Sequence, residues 1–380
     1  MLIAIASLVG GVLLLLVATT SFRALGSSPT GERVVRIQAS PQYAEGRFHN
    51  MLRTRDDVPS NAGGFLPLLD RMLLSTPEVR RPTDAIPIVE RVRADFEPLR
   101  ATDFRATWLG HSTVLLELDG LRVLTDPMWS ERASPNRLIG PRRFHPPPLP
   151  LAEVPAIDAV VISHSHYDHL DMNSVLAVRL AHFFVPLGVG AILEGWGIPA
   201  AQVHELDWWE STRFRGVEFV ATPARHTSNR SLSDEAKTLW ASWSIVGATA
   251  RVFFSGDTGM APFFADIGAR YGPFDLTLIE SGCYDRWWAD LHLGPEQAVA
   301  VHRAVRGRVM LPIHWATFNQ APHAWTEPAE RVRVEAARTL VLPRPGETIE
   351  PNAPPPVDPW WPTIPWSPVE ETPIVSGGLR

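Results

Sequence analysis

Only one cysteine, Cys283, occurs in 380 residues. No intrachain disulfide can form, and a thiolate zinc site, which needs several cysteines, is excluded. An excess of positive charge is also missing. The formal net charge is −6, which argues against a nucleic-acid partner, since such binders usually present a basic face. No internal repeat is visible. Charged residues make up 20% and hydrophobic ones 45%, the balance of a soluble domain able to build a core. The length allows one large domain or two ordinary ones. Metal chemistry therefore has to come from the 13 histidines.

Charge is absent before Arg23, and the run from Leu2 to Val17 is almost wholly apolar. About 20 residues of helix span a hydrocarbon core. A cleaved signal peptide has a basic start and a shorter apolar stretch. Residues 1–22 thus read as an uncleaved membrane anchor in preference to a signal segment. Arg23, Arg33 and Arg36 follow the run and no basic residue precedes it. The positive-inside rule then leans the following domain towards the cytoplasmic face.

Residues 23–100 are polar and turn-rich and read as an arm, with one helix near Leu66–Leu74. From residue 104 the texture becomes β-rich. Strands are expected at Phe104–Leu109, Val114–Leu118, Arg122–Thr125, Ala159–Ser163, Val217–Ala221, Leu239–Val246, Arg251–Phe254, Asp275–Ile279 and Val309–Ile313. Helices are expected at Asp171–Ala181, Ala261–Arg270 and Pro295–Arg306, the last with proline in its first turn. Sheets covered by helices follow, an α/β architecture. The tail 346–380, with Pro354-Pro355-Pro356 and Trp360-Trp361-Pro362, is expected to be extended and either disordered or wrapped on the surface.

The sharpest signal is Ser163-His164-Ser165-His166-Tyr167-Asp168-His169 directly after the apolar run Ala159-Val160-Val161-Ile162. Alternation puts His164 and His166 on one side of an extended segment. Asp168 and His169 fall where the chain turns, so they can face a second ion. Imidazoles and a carboxylate are what zinc accepts when thiolates are absent. His226, Asp257 and His314 each follow an apolar strand. Taken singly, each is as readily a surface or turn residue. Together they place ligands at several strand ends, the open site on a rigid scaffold that catalytic zinc requires.

These motifs resemble the metallo-β-lactamase superfamily. The surrounding segments resemble one family within it, the N-acyl phosphatidylethanolamine phospholipases D. They include Thr107-Trp108-Leu109-Gly110-His111-Ser112-Thr113, Leu124-Thr125-Asp126-Pro127, Arg132-Ala133-Ser134-Pro135 and Gly140-Pro141-Arg142-Arg143-Phe144. Glu205-Leu206-Asp207-Trp208-Trp209-Glu210 and Ile313-His314-Trp315-Ala316-Thr317-Phe318 extend the match. The resemblance covers residues 101–345, the expected hydrolase domain. It implies an αββα sandwich of the metallo-β-lactamase fold with two Zn2+ per chain. By similarity His164, His166 and His226 hold one ion, Asp168, His169 and His314 hold the other, and Asp257 bridges. It further implies a membrane phospholipid substrate, N-acyl phosphatidylethanolamine, cleaved to N-acylethanolamine and phosphatidic acid. Zinc lowers the pKa of bound water towards 7, which supplies the nucleophile for such a reaction.

The chain departs from that family before His292, where Glu280-Ser281-Gly282-Cys283-Tyr284 replaces a small neutral run. A carboxylate facing inward there would disfavour an anionic phosphate. His292 reads as a catalytic donor to the phosphate or leaving oxygen, or as an ordinary residue before a helix. Asp126 reads as the acceptor that orients a zinc-bound histidine, or as a turn aspartate. His111 is expected to be structural, Asp171 a helix cap and Cys283 a packing residue. Trp208, Trp209, Trp287 and Trp288 line either a lipid groove or the core. Two alternatives stand beside the lipid reading. One is a metal-dependent lactonase, or a phosphodiesterase acting on a soluble sugar phosphate; the other is a non-catalytic zinc-stabilised membrane scaffold. Assembly as a homodimer is compatible with the sequence but not specified by it.

Overall fold

The computed structural model describes residues 21–55, 58–61, 63–64, 66–67, 69–70, 79–336 and 339–379. Apart from its last two positions, the segment read as an anchor (residues 1–22) lies outside the described residues. So does most of the helix expected at Leu66–Leu74. Among the described residues no helix is long and apolar enough to cross a membrane.

A helix, Glu32–Ala39, is followed by a short hairpin of β1 (Tyr43–Ala44) and β2 (Arg47–Phe48). There follow β3 (Phe104–Gly110), β4 (Thr113–Leu118), β5 (Leu121–Thr125), β6 (Ala159–Val161), β7 (His182–Pro186) and β8 (Val203–Leu206). Next come β9 (Ser211–Phe214), β10 (Val217–Thr222), β11 (Ser242–Val246), β12 (Arg251–Phe254), β13 (Phe274–Glu280) and β14 (Gly307–Ile313), then β15 (Thr348–Ile349). They form a seven-stranded sheet in the order β15-β3-β4-β5-β6-β7-β8 and a six-stranded sheet in the order β14-β13-β12-β11-β10-β9. Both sheets are mixed: hairpins at their starts are antiparallel, whereas β5 to β8 and β12 to β14 are parallel.

Side-chain alternation sorts the seven-stranded sheet into two cores. Val114, Leu116, Val123, Val161 and Phe184 point to a core shared with Phe219, Trp243, Phe254 and Leu276 of the other sheet. Leu115, Leu124, Val160, Ile162 and Phe183 point outward, under Val175, Val189, Ile192 and Leu193. Those four belong to helices Met172–Ala177 and Val189–Gly195. Helices Phe263–Tyr271 and Pro295–Ala304 cover the six-stranded sheet, the former through Phe264 and Ile267, the latter through Ala298 and Val301. Strands buried on both faces need apolar residues at every position, which is why these runs read as continuous in the sequence. The result is an αββα sandwich.

The expected strand Leu239–Val246 begins only at Ser242. Leu239 and Ala241 donate instead to the carbonyls of Leu187 and Ser163 in the other sheet's loops, at 2.8 and 2.9 Å. The helix expected from Asp171 is shorter, Met172–Ala177, with the Asp171 side chain capping Ser174 N. β7, β8 and β9, and helices Val189–Gly195 and Glu327–Ala336, were not expected. β9 alternates exposed and half-buried positions, and β8 is half-buried until Leu206, so neither carries an apolar run. The tail is extended and packed on the body: Trp360 and Trp361 lie 5.4 and 5.5 Å from Trp315 between ring centroids.

Candidate metal centre

Five strands running the same way end at one edge of the sandwich. β5 leads into Asp126, β6 into Ser163 and His164, β10 into His226, β12 into Asp257, and β14 into His314. After His166 the chain folds back on itself, the amides of His169 and Leu170 both donating to the His166 carbonyl. That turn is what brings Asp168 and His169 under the two preceding histidines. Arg230 clamps it from outside, donating to the carbonyls of Ser165 (2.7 Å) and Leu170 (3.0 Å) and to Ala24 of the arm. Gly256 lets the Asp257 loop close in: its φ is +55°, and a Cβ there would sit 2.5 Å from Ser163 Cβ. Only glycine fits that approach.

Seven side chains converge. His164 Nε2 and His226 Nε2 lie 2.7 and 3.3 Å from His166 Nδ1. His169 Nε2 and His314 Nε2 lie 3.1 Å apart, and 3.3 and 3.4 Å from Asp168 Oδ2. Asp257 Oδ2 stands between the two sets, 3.1 Å from His169, 3.2 Å from His314, 3.7 Å from His226 and 3.9 Å from His164. Ligands about 2.1 Å from a tetrahedral ion are about 3.4 Å from one another. The observed separations, from 2.7 to 3.9 Å, bracket that value.

Three imidazoles are tied at the far nitrogen so that the near one faces inward, whereas His314 Nδ1 is buried without a hydrogen-bond partner among the described residues. His169 Nδ1 donates to Asp126 Oδ2 at 2.6 Å, and His226 Nδ1 to the Leu291 carbonyl at 2.9 Å. His164 Nδ1 contacts Ser163 Oγ at 2.9 Å. Asp168 is held by His111 Nε2 and Gln320 Nε2, each at 2.9 Å. Buried lone pairs that face one another in this way repel unless a cation lies between them. Asp257 Oδ1 is also buried without a hydrogen-bond partner among the described residues. A donor set of imidazoles and carboxylates with ordered outer acceptors fits divalent metal ions.

The electrostatics divide the centre in two. Burial, reinforced by neighbouring rings, holds His164 well below the ordinary imidazole range, and burial likewise lowers His166 and His226. Burial also opposes charge on His169 and His314, but Asp257 and then other neighbours, Asp168 among them, outweigh it and raise both well above that range. Asp168 and Asp257 are held low against their own burial by His169 and other surrounding imidazoles. One half thus favours neutral ligands, while the carboxylates of the other draw positive charge into the pocket.

His292 lies beside this centre, its ring centroid 5.0 Å from His226 and 5.6 Å from His314. Its Nδ1 is 4.0 Å from Asp257 Oδ2 and 2.9 Å from Glu280 Oε2. Glu280 ends β13 and is fully buried; its other oxygen accepts the amides of Thr258 and Leu293. The carboxylate that departs from the family pattern therefore faces His292 and backbone donors. Cys283 packs with Trp288, Leu291 and Ala321, Trp208 is in the main core, and Trp209 lies partly buried against it. His111, expected to be structural, bonds Asp168 directly.

Sequence reasoning missed two supports, Arg230 and Asn50, and saw a third, Glu280, without its partner. Glu280 carried the signal already used for the ligands, a polar residue ending the apolar run Leu276–Ile279. Arg230 and Asn50 carried none. Asn50 brackets the backbone of His226 from the arm, accepting its amide at 3.0 Å and donating to its carbonyl at 2.8 Å.

This chain resembles known proteins over much of its length. Residues 121–315 match the β-lactamase superfamily domain. An uncharacterized protein of Mycobacterium tuberculosis is 44% identical over 94% of this chain and 96% of its own length. The N-acyl-phosphatidylethanolamine-hydrolyzing phospholipase D 1 of Caenorhabditis elegans is 40% identical over 60% of this chain and 68% of its own. The solved structure of isothiocyanate hydrolase from Delia radicum gut bacteria superposes with a TM-score of 0.51 at 19% identity, over 64% of this chain and 98% of that one. At that identity the likeness speaks for the fold.

Proposed function

The chain belongs to the metallo-β-lactamase superfamily and is a metal-dependent hydrolase related to the N-acyl phosphatidylethanolamine phospholipases D, and from that premise we propose that it is a di-zinc phosphodiesterase acting on N-acylated phosphatidylethanolamine. The observation that carries the reading is the pair of donor sets, His164, His166 and His226 on one side and Asp168, His169 and His314 on the other, with Asp257 Oδ2 within 4 Å of both. With Asp257 shared, the two sets offer seven protein donors, one short of the eight that would close two structural zinc sites. That count favours catalysis over a scaffold role. Zinc in such a site activates water and neutralises charge on phosphoryl oxygens.

The chain's own residues do the rest. Asp126 fixes the tautomer of His169, and His111 with Gln320 fixes the rotamer of Asp168. His292 delivers a proton to the leaving alkoxide, and the products are phosphatidic acid and N-acylethanolamine. A cavity of about 740 Å³ lined by Val79, Tyr284, His323, Ala324, Pro365 and Trp366, with Asp285, Arg286, Glu327 and Glu371 also on its wall, offers room for part of an amphiphilic substrate. His323 accepts the amide of Cys283 at 2.9 Å, and both residues also line a small recess that reaches His314. Association with a membrane through residues 1–22, leaning to the cytoplasmic face, belongs to the same reading. A membrane-bound site meets its substrate by lateral diffusion and avoids extracting acyl chains at about 0.8 kcal/mol per CH₂.

The test gives zinc-loaded protein a vesicle containing N-acylated and plain phosphatidylethanolamine, with products read by mass spectrometry. N-acylethanolamine together with phosphatidic acid is expected. A folded, metal-replete sample that leaves the lipid intact but cleaves a soluble phosphodiester or opens a lactone would overturn the lipid assignment.

A further inference from the structure

Glu280 has no counterpart in the ligand scheme, yet it is buried completely beside the centre. One of its oxygens, Oε1, is taken by two backbone amides, those of Thr258 and Leu293. That leaves Oε2 for the His292 ring, 2.9 Å from Nδ1. Burial raises the Glu280 carboxyl while His292 opposes that rise, and as an ionised acceptor anchored on one oxygen by backbone donors it accepts the proton on His292 Nδ1. The ring keeps 16% of its side-chain surface exposed, and no hydrogen bond engages Nε2 among the described residues. His292 is thereby fixed with one edge on Glu280 and the other free for substrate.

We infer that Glu280 is a positioning residue that makes His292 the proton donor to the leaving group, forming a Glu280–His292 dyad. The inference rests on the phosphodiesterase reading. In the reaction, water adds its oxygen to phosphorus and the P–O bond to the leaving group breaks, its electron pair going to the leaving oxygen. That oxygen takes the proton on His292 Nε2. The proton released by the attacking water restores His292, so atoms and charge balance with water as the one co-reactant. Glu280 compensates the positive ring while it carries both protons and holds Nδ1–H throughout. The same arrangement accounts for a buried carboxylate beside a phosphate site: its charge is met by three donors, and it is fully buried.

Glu280→Gln discriminates sharply because the two amides hold the side-chain oxygen in place. The Gln NH₂ then faces His292 Nδ1, which must accept, and the neutral ring keeps its only proton on Nε2. Such a ring is a far weaker acid. Hydrolysis of phosphodiesters with an alkyl leaving group should fall about 10²- to 10⁴-fold. Bis(p-nitrophenyl) phosphate, whose leaving group needs no proton, should be cleaved within about threefold of wild type, and metal content should not change. His292→Ala should give the same pattern, and the double variant should be no worse than either single one. Equal loss on both leaving groups, or no loss on either, overturns the inference. A second readout does not depend on the substrate. ¹⁵N NMR of the zinc-loaded chain should report Nδ1–H at His292 in the wild type and Nε2–H alone in Glu280→Gln. A wild-type ring protonated only at Nε2 overturns the dyad even if phosphodiesters are cleaved. A wild type that cleaves neither diester but has Nδ1–H strikes the phosphodiesterase reading and leaves the dyad in place.

Discussion

Replacing Asp126 by asparagine tests whether the centre is tuned from outside its donors. Asp126 is fully buried and accepts three hydrogen bonds: Ser163 N at 2.7 Å, Ser163 Oγ at 2.5 Å and His169 Nδ1 at 2.6 Å. Its φ of +32° lies in a region that asparagine tolerates far better than most residues. Asparagine therefore keeps the turn and can still accept Ser163 N. Its NH₂ then faces His169 Nδ1, donor against donor. The relief is a tautomer switch that moves the His169 proton to Nε2, the nitrogen 3.1 Å from both His314 Nε2 and Asp257 Oδ2. One inward lone pair is lost.

Loss of such an outer partner costs about 10- to 100-fold in metal affinity or activity, equivalent to about 1.4–2.8 kcal/mol. Alanine should differ in kind. It strands the Ser163 amide and His169 Nδ1 in a dry site at about 1–3 kcal/mol each, so it should also unfold at markedly lower temperature. The assay is metal retention across a chelator series, read beside thermal unfolding of the two variants. Asparagine that retains metal and turns over like wild type would refute the argument that Asp126 sets the His169 tautomer.

Two further outcomes follow from other parts of the chain. His302, buried and bonded to Thr277 Oγ1 at 2.8 Å, is pushed down to about 4, chiefly by burial and then by Arg303. The unfolded ring charges near pH 6.5 while the folded one stays neutral, so stability falls as pH drops from about 6.5 to about 4, by about 3 kcal/mol in all; His302→Gln should flatten that part of the wild-type curve in denaturant titrations, and an unchanged difference between the two at pH 7.5 and pH 4.5 would contradict it. The tail straps the loop that carries His292: Gly377 N and Ser376 Oγ bond Asp290 Oδ1 and the Ala289 carbonyl, both at 2.6 Å, and Arg225 Nη1 bonds the Gly377 carbonyl at 2.9 Å. Deleting residues 374–380 removes these bonds, worth about 1 kcal/mol each; faster amide exchange over residues 287–293 and a fall in turnover with metal content unchanged are expected, and unaltered exchange would sink the strap.

What could be read in the sequence depended on whether a residue's job was local. His164, His166, Asp168 and His169 sit within six residues behind one apolar strand, so their convergence needs only a turn. His226, Asp257 and His314 were legible because buried strands are apolar throughout and the first polar residue after each stands out. β8 and β9 were not legible, since an edge strand with one wet face lacks that contrast. Asn50 and Arg230 act over 176 and 206 residues of separation, on His226 and on Ala24. No spacing rule reaches so far, and a lone polar residue in an arm or loop looks like any other. Glu280 was visible as a departure, but its partner could be named only once β13 and the loop before helix Pro295–Ala304 were adjacent in space.

The same edge concentrates backbone strain. Of the eleven non-glycine residues with positive φ among the described residues, five are His111, Asp126, Cys283, His314 and Ala316, all in the segments that leave β3, β5, β13 and β14 at the metal centre. Conformations of this kind cost about 1–3 kcal/mol each and persist where the surroundings over-determine them. Here the surroundings are paired strands: β13 and β14 are hydrogen-bonded in parallel register up to Glu280 and Ile313, one residue before His314 has to turn inward. The sheet thus holds the turn, and the turn aims the side chain. A centre built in this way has its donors in position from packing alone, so binding an ion need not reorganise the fold. It also explains why outer contacts such as Asp126 to His169 matter. With the backbone already fixed, the remaining freedom is which ring nitrogen carries the proton, and a single acceptor decides that.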